Sequence, residues 1–218
     1  MRSTLRHLLA AGVLGVALVA TSLPAQAATT SAVVLNTGHL DVVDVAYEAG
    51  VLEIGVHDED NDVEYGADEV KLVVKRQAKV TVPADPAFAF LGTPGVSQVW
   101  ILPEIRNENL IWPGIAAEEI EAGVFTGDSL TLSVRAVSGP GQLAIYTENA
   151  VGQPNILADS GDGLPDALAL TAGDHTHANW AFDAAGTYRV TVRATGTLAA
   201  SGQKVTSAPA TLRFTVKA

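Results

Sequence analysis

The chain has 218 residues, with 13 Lys and Arg against 24 Asp and Glu, a formal net charge of −11. That balance argues against nucleic acid and anionic lipid as partners, since both need clustered Lys and Arg, and it favours attraction of cations. No Cys occurs and the only Met is the initiator. Disulfides, thiolate zinc clusters, blue-copper sites and iron–sulfur clusters are therefore excluded, and any metal must be held by imidazole nitrogen and carboxylate oxygen.

The first 27 residues read as a secretory signal peptide. Arg2 and Arg6 give the positive start, an apolar run covers Leu8 to Ala20, and Pro24 precedes the small-x-small site Ala25-Gln26-Ala27. The run is too short to span a bilayer as a helix, and no second run of spanning length follows. Cleavage after Ala27 leaves 191 residues (28–218) with a charge of −13, because both signal arginines leave and no acid does. The expected protein is secreted or extracellular, a single domain without a transmembrane segment.

Beyond the signal, the pattern is strand, turn, strand. His39–Glu48 and Val51–His57 flank Ala49-Gly50, a hairpin signal. Val70–Val74 alternates apolar positions with lysine, and Val96–Leu102 is a short apolar run containing Trp100. Ile115–Ala122 is the one helical candidate, short and acidic. Leu130, Leu132 and Val134 alternate with polar residues; Ser138-Gly139-Pro140-Gly141 is a turn, and Gln142–Thr147 returns from it. Tyr188, Val190 and Val192, then Leu212, Phe214 and Val216, repeat the period of two that marks half-buried strands. Many short strands separated by Gly and Pro predict an antiparallel, immunoglobulin-like β-sandwich with one short helix. Gly186-Thr187-Tyr188 before an alternating strand has the form of a tyrosine corner.

Four histidines remain after cleavage: His39, His57, His175 and His177. In His175-Thr176-His177 the two imidazoles share a strand face and can reach one ion; Trp180 and Phe182 then fall on the opposite, core side. A two-residue hairpin loop sets Glu48 against Val51 and Tyr47 against Leu52. Val43, Val45 and Tyr47 then share a face with Leu52, Ile54 and Val56. His39 and Asp41 lie at the open end of that face and His57 points away, so His39 is the expected third ligand, with Asp41, His57 or water as the fourth. Zinc suits such donors, with manganese or copper as alternatives.

Gly38-His39-Leu40-Asp41 resembles a motif of the actinobacterial surface-anchored domain family, the choice-of-anchor M proteins. So do Phe90-Leu91-Gly92, Val99-Trp100-Ile101-Leu102-Pro103, Trp112-Pro113-Gly114, Gly139-Pro140-Gly141 and the stretch His175-Thr176-His177-Ala178-Asn179-Trp180-Ala181-Phe182. The resemblance covers nearly all of the chain after the signal. It implies an extracellular role in metal handling beside zinc- or manganese-type ABC importers, and it carries His39, His175 and His177 onto matching motifs. Unlike anchored relatives, the sequence closes on Val216-Lys217-Ala218 without a sorting signal, so covalent wall attachment is not expected.

Other signals are weaker. Asp58–Asp62 with Glu69 has the spacing of a calcium loop, but Val63 replaces its Gly, so a solvated acidic loop is expected. Trp100 and Trp180 read as core, whereas Trp112 is open between core and sugar platform. Ser133 and Ser201 lack a nucleophile elbow, and Ala28 at the mature start rules out a His brace. A zinc hydrolase would need a general base, for which Asp41 is the best candidate. The expected function is a metal-binding module of the cell surface, not an enzyme; the alternative is an adhesive or cell-wall-binding sandwich.

Overall fold

The structure is a computed structural model in which residues 32–218 are described. The signal-peptide reading of residues 1–27 lies outside them. Strands, numbered along the chain, form three sheets. The first contains, in spatial order, β1 (Val33–Leu35), β5 (Val70–Val74), β17 (Ala210–Val216), β15 (Gly186–Leu198), β9 (Phe125–Ser138) and β12 (Asp166–Thr171), with β16 (Lys204–Thr206) on β15. The second runs β11 (Pro154–Asp159), β10 (Leu143–Glu148), β14 (Asn179–Phe182), β7 (Gln98–Leu102) and β6 (Lys79–Thr81). The third runs β13 (His175–His177), β8 (Ile111–Ala116), β2 (Gly38–Glu48), β3 (Val51–Asp58) and β4 (Val63–Gly66). The fold is thus mostly β, as the period of two predicts. Most ladders are antiparallel, but β1 with β5, β5 with β17, and β2 with β8 pair in parallel.

Alternation explains the main core. Leu130, Leu132 and Val134 of β9 bury against Tyr188, Val190 and Val192 of β15 and Leu212 and Phe214 of β17, while the intervening polar residues face outward. Leu40, Val43, Val45, Leu52 and Val56 of the third sheet and Leu102, Leu143, Trp180 and Phe182 of the second close over the same apolar volume, in a β-sandwich. Each Leu, Ile or Phe so buried stabilises the fold by about 1.5–3 kcal/mol, and without cysteine this burial carries stability alone. The second sheet is covered on its other face too. A 3-10 turn at Pro86–Leu91, capped by the Asp85 side chain on the Ala87 amide, packs Phe88 and Leu91 on Val99, Ala144 and Tyr146. That double burial explains why β7, β10 and β14 read as continuous apolar runs.

Tyr188 forms the expected corner, its hydroxyl donating to the Ala184 carbonyl at 2.9 Å. A methyl at Gly139 would collide with the Tyr188 ring. The helix expected at Ile115–Ala122 does not form. Ile115 and Ala116 end β8, and turns follow. β8 is held between β2 and β13, so pairing on both edges overrides weak local helix preference. Helix among the described residues is confined to the 3-10 turns Arg76–Ala78 and Pro86–Leu91. None is long and apolar enough to cross a membrane.

Candidate metal centre

The order β13, β8, β2, β3 aligns the candidate ligands in a row across the third sheet. His177 pairs with Gly114, His39 with Trp112, and Asp41 with both Gly114 and His57. Directly paired residues project from the same face. The hairpin forms as expected, with Glu48 opposite Val51 and Tyr47 opposite Leu52. A bulge between Asp41 and Asp44 then adds one residue to β2. The extra residue reverses the alternation, because side-chain period is two. His39 and Asp41 consequently leave the face of Val43, Val45 and Tyr47, and His57 shares the face of Asp41 instead of pointing away. Both points correct the expected register.

His39 nevertheless joins the pair from β13 and His57 does not. Strands lie about 4.8 Å apart; β2 is two places from β13 and β3 is three. One nitrogen from each of His39, His175 and His177 lies within 4.8 Å of the others. His57 instead sets Nδ1 2.8 Å from Glu59 Oε1 and Nε2 3.6 Å from Asp62. Burial opposes protonation of His57, but the Glu59 and Asp44 carboxylates outweigh it and raise its pKa.

The row converges over Gly114. A Cβ there would overlap Asp41 Oδ1 and lie 2.8 Å from His175 Nε2. With only a hydrogen in the way, side chains from β2 and β13 meet above β8. His175 Nε2 lies 2.9 Å from Asp41 Oδ1 and 3.2 Å from His39 Nε2, and His39 Nε2 lies 3.6 Å from that oxygen. Ligands placed 2.0–2.2 Å from a tetrahedral zinc would be separated by about 3.3–3.6 Å, so these spacings approach its edges.

The free nitrogens are selected by what holds the rings. His177 Nδ1 donates to the Pro113 carbonyl at 3.1 Å, and His175 Nδ1 donates to Glu118 at 2.9 Å. A neutral imidazole carries one N–H, so both rings turn a lone pair on Nε2 toward the centre. Orientation of metal-binding histidines by a carbonyl or carboxylate on the second nitrogen is the usual outer arrangement of metal sites. Trp112 stacks face to face on His177 at 3.6 Å, with its Nε1 tied to the Glu104 carbonyl, which fixes the ring further. Trp112 is therefore neither core nor a free platform. It is a wall of the site.

Asp41 is 1% exposed, and neither carboxylate oxygen has a hydrogen-bond partner; the approach of His175 to Oδ1 lacks hydrogen-bond alignment. Burial, and next Glu59 beside it, push this carboxyl up to about 8. Burial, then the neighbouring His175, lower His39 and hold His177 at about 4. The centre thus gathers imidazole lone pairs around a buried acid that holds its proton beside Glu59, and a divalent cation would take the place of that proton. The residues can hold a metal ion.

Glu118 does not stand out in the sequence, because its segment reads as a short acidic helix, and neither does Glu59, because its loop reads as solvated. Nor does Gly114, since Trp112-Pro113-Gly114 shows no role by itself. In the acidic loop, Asp58 accepts from the amide and side chain of Asn61, and Asp60 accepts from the His39 amide at 3.0 Å. Comparison with protein-family models, characterised proteins and solved structures gave no match.

Proposed function

We propose that this protein is an extracellular zinc-binding module, with His39, His175, His177 and Asp41 as ligands. The observation that carries the reading is the convergence of His39, His175 and His177, two of them oriented through Nδ1, beside the buried Asp41 carboxylate. A donor set of three imidazoles and a carboxylate favours zinc over manganese, which prefers more oxygen ligands, and copper(II), which prefers a tetragonal site. Four protein ligands close the coordination sphere, which suits holding or delivering an ion better than activating water. The signal-like start and the family resemblance support a secreted or wall-associated protein that buffers or hands over zinc, with a metal ABC importer as the partner class.

Elemental analysis of untagged protein tests the reading. Wild type should carry zinc at one ion or more per chain, and His175→Ala/His177→Ala should lose it. Competition with manganese and copper reads the preference, and the Trp112 emission provides a second signal, because the ring lies against a ligand. Equal zinc in wild type and the double variant would overturn the site and favour an adhesive role.

A further inference from the structure

The three-histidine centre leaves a second set of donors unexplained. Asp41, Glu59, Glu118 and His175 each bring a ligand atom within 4.8 Å of the others. Asp41 directs Oδ1 at the histidines, yet Oδ2 is equally buried and equally without a partner. Glu59 Oε1 is also shielded from solvent and has no hydrogen bond, although His57 Nδ1 approaches it to 2.8 Å. Glu59 does not drift there. Its amide donates to the His39 carbonyl at 3.1 Å, which pins its backbone beside the centre. Glu118 uses Oε2 on His175, which leaves Oε1 available.

We infer that a second divalent cation binds between Asp41, Glu59 and Glu118, with the Asp41 carboxylate bridging it to the zinc held by the histidines. The inference rests on the zinc reading for the bridge. Charge supports it: three carboxylates outweigh one divalent ion, although His57 beside Glu59 offsets part of the excess. Two cations bridged by a carboxylate sit about 3.5–4 Å apart in known two-metal sites, a distance that one carboxylate can span through its two oxygens. The donor types differ between the halves. The first position is nitrogen-rich; with His175 Nε2 given to it, the second is left with carboxylate oxygen, the chemistry that manganese, magnesium and calcium prefer. The second position is also the more open one, since Glu118 is 42% exposed against 17% for His39 and 20% for His175.

The test uses full-length untagged protein, stripped with chelator and reloaded with zinc, then with manganese, and read by native mass spectrometry. Wild type should take up one zinc and one manganese per chain. Glu59→Gln, which keeps shape and removes charge, should retain zinc and lose manganese. Loading with manganese alone provides an independent reading: two adjacent ions give an exchange-coupled electron-spin resonance spectrum, and isolated ions give the six-line pattern. A single bound ion in both wild type and Glu59→Gln would overturn the second position and leave the zinc reading standing. Manganese uptake unchanged in Glu59→Gln, with an uncoupled spectrum, would place it elsewhere and likewise overturn the proposal. Failure of wild type to bind zinc at all would instead overturn the first reading.

Discussion

Gly114 is the residue on which the centre depends most, although it supplies no ligand. Its missing side chain is the space in which Asp41 and His175 meet. Gly114→Ala should therefore weaken zinc binding by a hundredfold or more, comparable to losing an outer-shell partner or worse, while the far-UV spectrum stays β-type. Isothermal titration calorimetry measures this, and wild-type affinity in Gly114→Ala would show that the approach over β8 is dispensable. The pair His175 and His177 was readable from sequence because strand period alone puts i and i+2 on one face. Gly114 was not, because a glycine needed for close approach looks like any glycine until its neighbours are known. Glu59 and Glu118 were illegible for a related reason: each lies in a turn, where no periodicity fixes the direction of a side chain.

The hairpin β2–β3 shows what local pattern determines and what it leaves open. Its two-residue loop, with φ of 47° at Ala49 and 86° at Gly50, has the left-handed pair of a type I′ turn. Alanine is strained at such a φ, and asparagine is the residue that this turn favours. Ala49→Asn should raise Tm by about 2–4 °C, the shift expected for roughly 1 kcal/mol in a chain of this size. An unchanged or lower Tm in calorimetry would contradict the turn assignment. Pairing next to the loop was legible from the apolar alternation. The bulge farther along was not, since Leu40, Val42, Val43 and Val45 are all buried and their sequence carries no alternation to betray the extra residue.

The same bulge leaves Asp44 only 7% exposed among acids. Burial, and next Glu119, raise its pKa to about 6 from 3.8. The sign follows directly: between those values the folded state holds the proton more tightly, so stability falls as pH rises through that window. Asp44→Asn should accordingly stabilise the protein at pH 7–8, by about 3 kcal/mol at most, and give no gain near pH 4. Urea unfolding at the two pH values checks this, and an equal effect at both would show that charge is not the cause.

Across the whole molecule, the centre joins β2 to β13, and His39 and His175 are 136 residues apart. A chain without cysteine has few other long-range cross-links. An ion in that position would close a loop of disulfide-like span; the chain-entropy relation for such a loop gives on the order of 5 kcal/mol. Chelator should lower Tm by roughly 10 °C or more, given about 2–4 °C per kcal/mol, and scanning calorimetry with and without added zinc reads the change. An unaffected Tm would mean that the ion does not bridge the strands. The fold class itself was legible because the long strands β9, β15 and β17 advertise their period, whereas the parallel ladders, which depend on partners distant in sequence, were not.

The distance along the chain also dictates when the ion can be acquired. His177 emerges from the ribosome long after His39, so a chain that has not reached β13 cannot assemble the set. An unfolded chain offers isolated imidazoles that hold zinc weakly, and a chain threaded through a translocation pore is unfolded. If the protein is exported and binds zinc as proposed, the ion comes from the compartment where the last strands dock, not from the one where synthesis began. Metal content would thus record the surroundings in which folding was completed, and refolding in one metal before transfer to another would leave that history measurable.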